Sequence, residues 1–252
     1  MGLRTAGFYF NTRLSRRQPV MGCRLFIKIQ KKSVISLQQH LVRRYSFFLL
    51  GVIINSFGIA LITKAALGTS PISSVPYVFS LRFTPTLGQF TFFVNFLFIV
   101  GQIVLLRREF QKIQLLQIGV NVLFSSIIDV SMNLLSPFAP QGFGQELLWL
   151  LAGCAVLAFG IYVEVSPKVL MVPGEGLVSA LARVSGIEFG SVKVAFDVTL
   201  MSLAAVCSLL FFHGLQGVGL GTLISAVLVG LIVKLYRRLF PGIARHLAPQ
   251  VA

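Results

Sequence analysis

Charge is what this sequence has least of. Only 12% of its 252 residues are Asp, Glu, Lys or Arg, 56% are hydrophobic, and the mean hydropathy is +0.86. A soluble domain carries about 25% charged residues to wet its surface, so a soluble globule is excluded. Acids are scarcer still, seven in all, and the first is Glu109. Cys23, Cys154 and Cys207 form no CxxC, and His40, His213 and His246 are scattered. These spacings exclude a disulfide framework and offer no metal site and no cofactor. GxSxG, HExxH and Walker patterns are also missing. With no nucleophile or acid–base constellation, the chain is not expected to be an enzyme.

What is present is length of apolar run. A bilayer core about 30 Å thick needs roughly 20 apolar residues per helical span. Six stretches qualify, at 46–63, 88–106, 113–135, 147–165, 192–212 and 218–236, each rich in Leu, Ile, Val and Phe. The expected fold class is all-α, a polytopic membrane helix bundle.

The few charges are unevenly placed. The net charge is +15, and ten basic residues fall within residues 1–44 (Arg4 to Arg44). Such a cluster beside a first span marks a cytoplasmic tail, attracted to anionic lipid headgroups. No RNA-binding or zinc-finger pattern accompanies it, so nucleic acid is not the expected partner. With the N-terminus inside, cytoplasmic segments hold nineteen Lys and Arg, while external loops hold only Lys64 and Arg82; Lys193, at a span start, is set aside. The count gives N-in, C-in. Five segments follow: a basic tail 1–45, a first membrane repeat 46–135, an external linker 136–146, a second repeat 147–238, and a cytoplasmic tail 239–252. The N-terminal tail reads as a cytoplasmic or in-plane amphipathic anchor. An organelle transit peptide, or a start at Met21, are its alternatives.

Shifting the chain by 102 residues superposes Gly51 on Gly153, Phe57-Gly58-Ile59 on Phe159-Gly160-Ile161, Pro71 on Pro173, Gly88 on Gly190 and Gly119 on Gly221. Apolar matches arise by chance in such a composition, but paired glycines and prolines point to a shared backbone course. Each half has three spans, so the second half enters the membrane from the opposite side. That is the pattern of an inverted-topology repeat, which recurs in secondary transporters.

Each half places a proline between its first and second span. KAALGTSPISSVPYVFSLRF (64–83) in the first half corresponds to SPKVLMVPGEGLVSALARVSG (166–186) in the second. Ser70 is suited to cap a helix opening at Pro71. The second half instead offers Pro173, Gly174, Glu175 and Gly176. These read as paired half-helices, one from each face, whose N-termini present free N–H groups. The alternative is a pair of surface turns with in-plane helices.

Acids inside spans are costly and usually face protein or water. Asp129 lies in the third span, Glu164 ends the fourth, and Asp197 lies in the fifth, one turn after Lys193 and able to pair with it. Asp197 corresponds to Asn95 in the first half. A polar cavity between repeats would use Asp197, Asn95 and Asp129, with Lys193 and Glu175. The competing reading makes Lys193–Asp197 a neutralised packing pair and has Asp129 snorkel to an interface. Glu164, near a span end, is expected to snorkel to the interface.

The runs INSFGIALITKAALGTSPISSVPYVFS (54–80), QIGVNVLFSSIID (117–129), YVEVSPKVLMVPGEGLVSAL (162–181) and FGSVKVAFD (189–197) resemble the YczE/YyaS/YitT family of bacterial membrane proteins. The resemblance covers residues 45–240 and implies a bacterial cytoplasmic membrane; it names no substrate. The expected function is therefore a small transporter or exporter of an unknown small solute. Its substrate-binding set is Glu175, Asp197, Lys193, Asn95, Asp129, Gly174, Gly176, Ser70, Pro71 and Pro173. The alternative is a non-transporting membrane scaffold or regulator.

Overall fold

A computed structural model describes the backbone of residues 20–241, and side chains from Leu41 onward except Lys112. The chain divides into two compact units, Met1–Leu41 and Val42–Ala252. The expected anchoring of the tail by residues 1–19, and the last residues of the C-terminal tail, lie outside the described residues.

The described chain is helical: α1 (Val20–Lys64), α2 (Ser74–Arg82), α3 (Leu87–Leu106), α4 (Leu116–Leu134), α5 (Phe143–Val165), α6 (Pro173–Ser185), α7 (Phe189–Phe212) and α8 (Leu220–Leu239). Six helices are long and apolar enough to cross a membrane: Leu41–Lys64, Leu87–Glu109, Ile113–Leu134, Phe143–Val165, Phe189–Phe212 and Leu220–Leu239. They match the six expected stretches, because a run of this hydropathy can satisfy its backbone in lipid only as a helix. The two exceptions, α2 and α6, are the short helices expected after Pro71 and at Pro173.

Glycines set the central packing. A Cβ on Gly58 would lie 2.5 Å from the Leu157 backbone nitrogen, one on Gly160 2.5 Å from that of Asn55, and one on Gly153 2.8 Å from that of Ile62. These pairings run in opposite chain directions, so α1 and α5 cross antiparallel with backbones in contact. Small residues are what allow such an approach between helices in lipid. Around this crossing, Phe48, Val52, Ile59, Ile62, Leu150, Cys154 and Leu157 form the main buried cluster.

The short helices then tie the halves together. α2 packs on α3 and α7, and α6 packs on α3 and α7. Arg44 closes the end of α5, donating to the Pro167 carbonyl from Nε at 3.0 Å and Nη2 at 2.7 Å. Gly68, with φ +118, turns the chain out of α1 and sits against Thr222 and Gly219 of the α8 start. A side chain there would meet both strain and the Thr222 hydroxyl.

Candidate functional site

The two proline-led segments meet inside the bundle. Pro71 opens a short 3-10 turn, Pro71–Ser73, that leads into α2, and Pro173 is the first residue of α6. A Cβ on Gly174 would strike the Ile72 side chain, so the two helix starts touch. Proline fits there because its missing N–H has no intrahelical partner in the first turn. Ser70 holds the extended conformation of an N-cap but makes no side-chain capping bond; its hydroxyl donates to Ser73 Oγ at 3.1 Å. Val172, before α6, cannot cap through its side chain, so neither helix start has a side-chain cap.

Beside this meeting point lies a cavity of about 960 Å³. Ser70, Pro71, Ile72 and Asn95 line it from the first half; Gly174, Glu175 and Gly176 line it from α6, and Lys193 and Asp197 from α7. Much of the remaining wall is apolar, from Ile59, Leu157, Ile161 and Val229. Arg183, Lys234 and Arg237 line the cavity too, and they lie where α6 and α8 end. We call this the basic end of the bundle.

Lys193 Nζ donates to Asp197 Oδ1 at 2.6 Å; the two side chains are 28% and 20% exposed, and both residues line the cavity. The pair is the i, i+4 pair expected on one helix face, so the cavity reaches Asp197 and Asp197 is also ion-paired. Lys193, Asp197 and Arg237 all lie near enough to act on the charge of Glu175. Glu175 itself is half-buried and makes no salt bridge within 4 Å among the described residues. An acid with such access in a largely apolar wall can bind a cationic or protonated group, or carry a proton.

Pro173 has a backbone role. Gln102 Nε2 of α3 donates to its carbonyl at 3.0 Å and to Gln117 Oε1 of α4 at 3.2 Å. Gly176 makes room for this, since a Cβ there would lie 2.6 Å from Gln102 Oε1. Asn95 donates to Asn121 Oδ1 at 2.9 Å, and Asn121 donates to the Phe92 carbonyl at 3.0 Å.

Two expectations change. Asp129 is not among the residues around the cavity. It accepts from the Gly88 N–H at 2.8 Å and the Thr86 hydroxyl at 2.6 Å, at the start of α3. The unpaired N–H groups and positive dipole end of that helix are a stronger lure for a carboxylate than an apolar wall. Glu164 does not snorkel either. It is 1% exposed and accepts from Asn55 Nδ2 at 2.8 Å, with its Oε1 unpartnered. Gly51 brings α1 against the Glu164 backbone, which encloses the carboxyl. Asn55, Gln102, Gln117 and Arg237 were not anticipated. A lone amide inside an apolar run was the available signal for the first two; Arg237, at a helix end, carried none.

Comparison with known proteins gives a consistent picture. A family model described as "Family of unknown function (DUF6198)" matches residues 42–238. The chain is 28% identical over 200 residues to the "Uncharacterized membrane protein YczE" of Bacillus subtilis (strain 168). That alignment covers 79% of this chain and 87% of the relative. No solved structure matches. The relative agrees with the resemblance carried by the GTSP and PGEG segments.

Proposed function

The chain belongs to this family of unknown function, DUF6198, and from that footing we propose that it is a small secondary transporter or exporter of a polar solute. The observation that carries the reading is the cavity that reaches the meeting point of the Pro71 and Pro173 helices and is lined by both Glu175 and Asp197. A site at mid-membrane, formed where short helices begin, is the recurrent arrangement of secondary transporters.

The inverted repeat is part of the same proposal. α1 and α5 are equivalent under the 102-residue shift, and they run antiparallel through Gly58, Gly153 and Gly160. The contacts of α2 with α7 and of α6 with α3 are likewise equivalent under that shift. Orientation by loop charge then puts the basic end, with Lys234 and Arg237, at the cytoplasmic face of a bacterial plasma membrane. In this reading Glu175 binds the solute or carries a coupled proton, Asp197 and Lys193 contact the solute, and Asn95 and Ser70 complete the lining. Anionic headgroups hold the basic N-terminal tail.

The Lys193–Asp197 bond at 2.6 Å favours a second reading, a scaffold in which the pair only neutralises itself. Reconstitution into liposomes separates the two. Flux of a panel of amino acids, amines, organic acids and inorganic ions is compared for wild type, Asp197→Asn and Glu175→Gln. Transport predicts that at least one member of the panel moves and that both variants lose most of its flux. No flux of any member, or flux that neither substitution alters, sinks this assignment.

A further inference from the structure

The halves share an order of elements but not a state of packing. In the first half, α3 is fastened to α4 at three levels: Gln102 to Gln117 at 3.2 Å, Asn95 to Asn121 at 2.9 Å, and the Gly88 N–H to Asp129 at 2.8 Å. The equivalent positions 102 residues on are Ala204 and Gly219, Asp197 and Leu223, and Gly190 and Leu231. None of these pairs has a side-chain donor facing a side-chain acceptor. α7 and α8 accordingly make little contact with each other, and the cavity lies against both.

Burial follows the same division. Leu87 is 5% exposed, while its equivalent Phe189 is 42% exposed and lines the cavity. Thr91, Ile128 and Leu135 are buried, yet their equivalents Lys193, Gly230 and Arg237 line the cavity. At these four positions the cavity wall built by α7 and α8 thus has a counterpart in α3 and α4 that is packed shut.

We infer that the site has a second entrance, closed in this structure, between α3 and α4 at the end of the bundle away from Arg237. It opens when α7 and α8 close. The inference rests on the transport reading above. Its physical basis is that both packings, closed and splayed, are already realised by one half each. Exchanging them needs no new kind of contact, only a rocking of one repeat against the other. The three polar fastenings of α3 to α4 bias the equilibrium toward the state seen here. A ligand that favours the exchanged state would expose a cavity that is now filled by side chains.

The test uses the full-length chain with Cys23, Cys154 and Cys207 replaced by Ala, reconstituted in vesicles of known orientation. Leu135→Cys reports opening through reaction with a membrane-impermeant maleimide applied at the face away from the basic end. Gly190→Cys with Leu231→Cys, oxidised by copper phenanthroline, locks α7 to α8. Asn121→Leu, which removes the Asn95 fastening, provides an arm that needs no crosslink. The expected result is crosslinking of the pair and a rise of about tenfold in Leu135→Cys labelling, in the locked and the Asn121→Leu proteins alike. Labelling that stays at its starting level in both overturns the second entrance. Solute flux in the same vesicles keeps the two ideas apart. A labelling rise without flux of any solute keeps the entrance and sinks transport, and flux without a rise does the reverse.

Discussion

Asn55 of α1 donates from Nδ2 to Glu164 of α5 at 2.8 Å, with 5% and 1% of the two residues exposed. This bond sits beside the Gly51 and Gly160 crossing and gives a buried acid its one side-chain partner. A buried polar group that loses its partner carries its desolvation penalty, about 1–3 kcal/mol. Asn55→Leu is therefore expected to destabilise the protein by about 2 kcal/mol, and Asn55→Leu with Glu164→Leu to recover most of that. Thermal unfolding in detergent, followed by size exclusion, reads both. A double variant no more stable than Asn55→Leu would refute the coupling.

The α1–α5 crossing leaves no space for a side chain at its glycines. Gly58→Leu and Gly160→Leu place carbons against the backbones of Leu157 and Asn55. Both are expected to abolish the monodisperse folded peak, whereas Gly230→Leu, where a Cβ meets nothing within 4 Å, should retain it. Yield and peak shape after gel filtration decide the matter.

Lys193 and Asp197 allow structure and function to be separated. Lys193→Met leaves the Asp197 carboxylate without its 2.6 Å partner, and is expected to lower stability by about 1–2 kcal/mol, discounted because the pair is partly exposed. Lys193→Met with Asp197→Leu should restore stability without restoring flux. Full flux from the double variant would mark the pair as packing alone.

Arg44 neutralises the carbonyl end of α5 through Pro167 and Lys168. Cations at a helix C-terminus contribute about 0.3–1 kcal/mol, more when partly buried. Arg44→Ala is expected to cost about 1 kcal/mol, and Arg44→Lys less, since one ammonium still reaches a carbonyl. An unfolding midpoint unchanged by Arg44→Ala would contradict this.

The spans and the short helices were legible in the sequence because their causes are local. Hydropathy over a run such as 147–165 forces a helix whatever its neighbours are, and Pro71 and Pro173 mark helix starts through their own covalent geometry. The Lys193–Asp197 pair was legible for the same reason, since i, i+4 spacing fixes it on one face. Glu175 and Asp197 both line one cavity, whereas the reasoning that named them placed Asp129 there too. Its span was right. Its rotation about the helix axis, toward Gly88 and Thr86, is set by how α4 packs on α3.

By itself, then, the sequence determined the membrane class, six spans, the two proline-led helices and a short list of acids. Tertiary structure decided which of those acids share a space. Glu164 is sealed by the Gly51 approach, Asp129 serves the start of α3, and Glu175 and Asp197 face the cavity beside Arg237. The reason is physical. Span formation depends on backbone hydrogen bonds within one segment, whereas the surroundings of a side chain depend on the azimuth and crossing of several helices. Those are fixed only when glycines such as Gly58 and Gly160 let particular backbones meet.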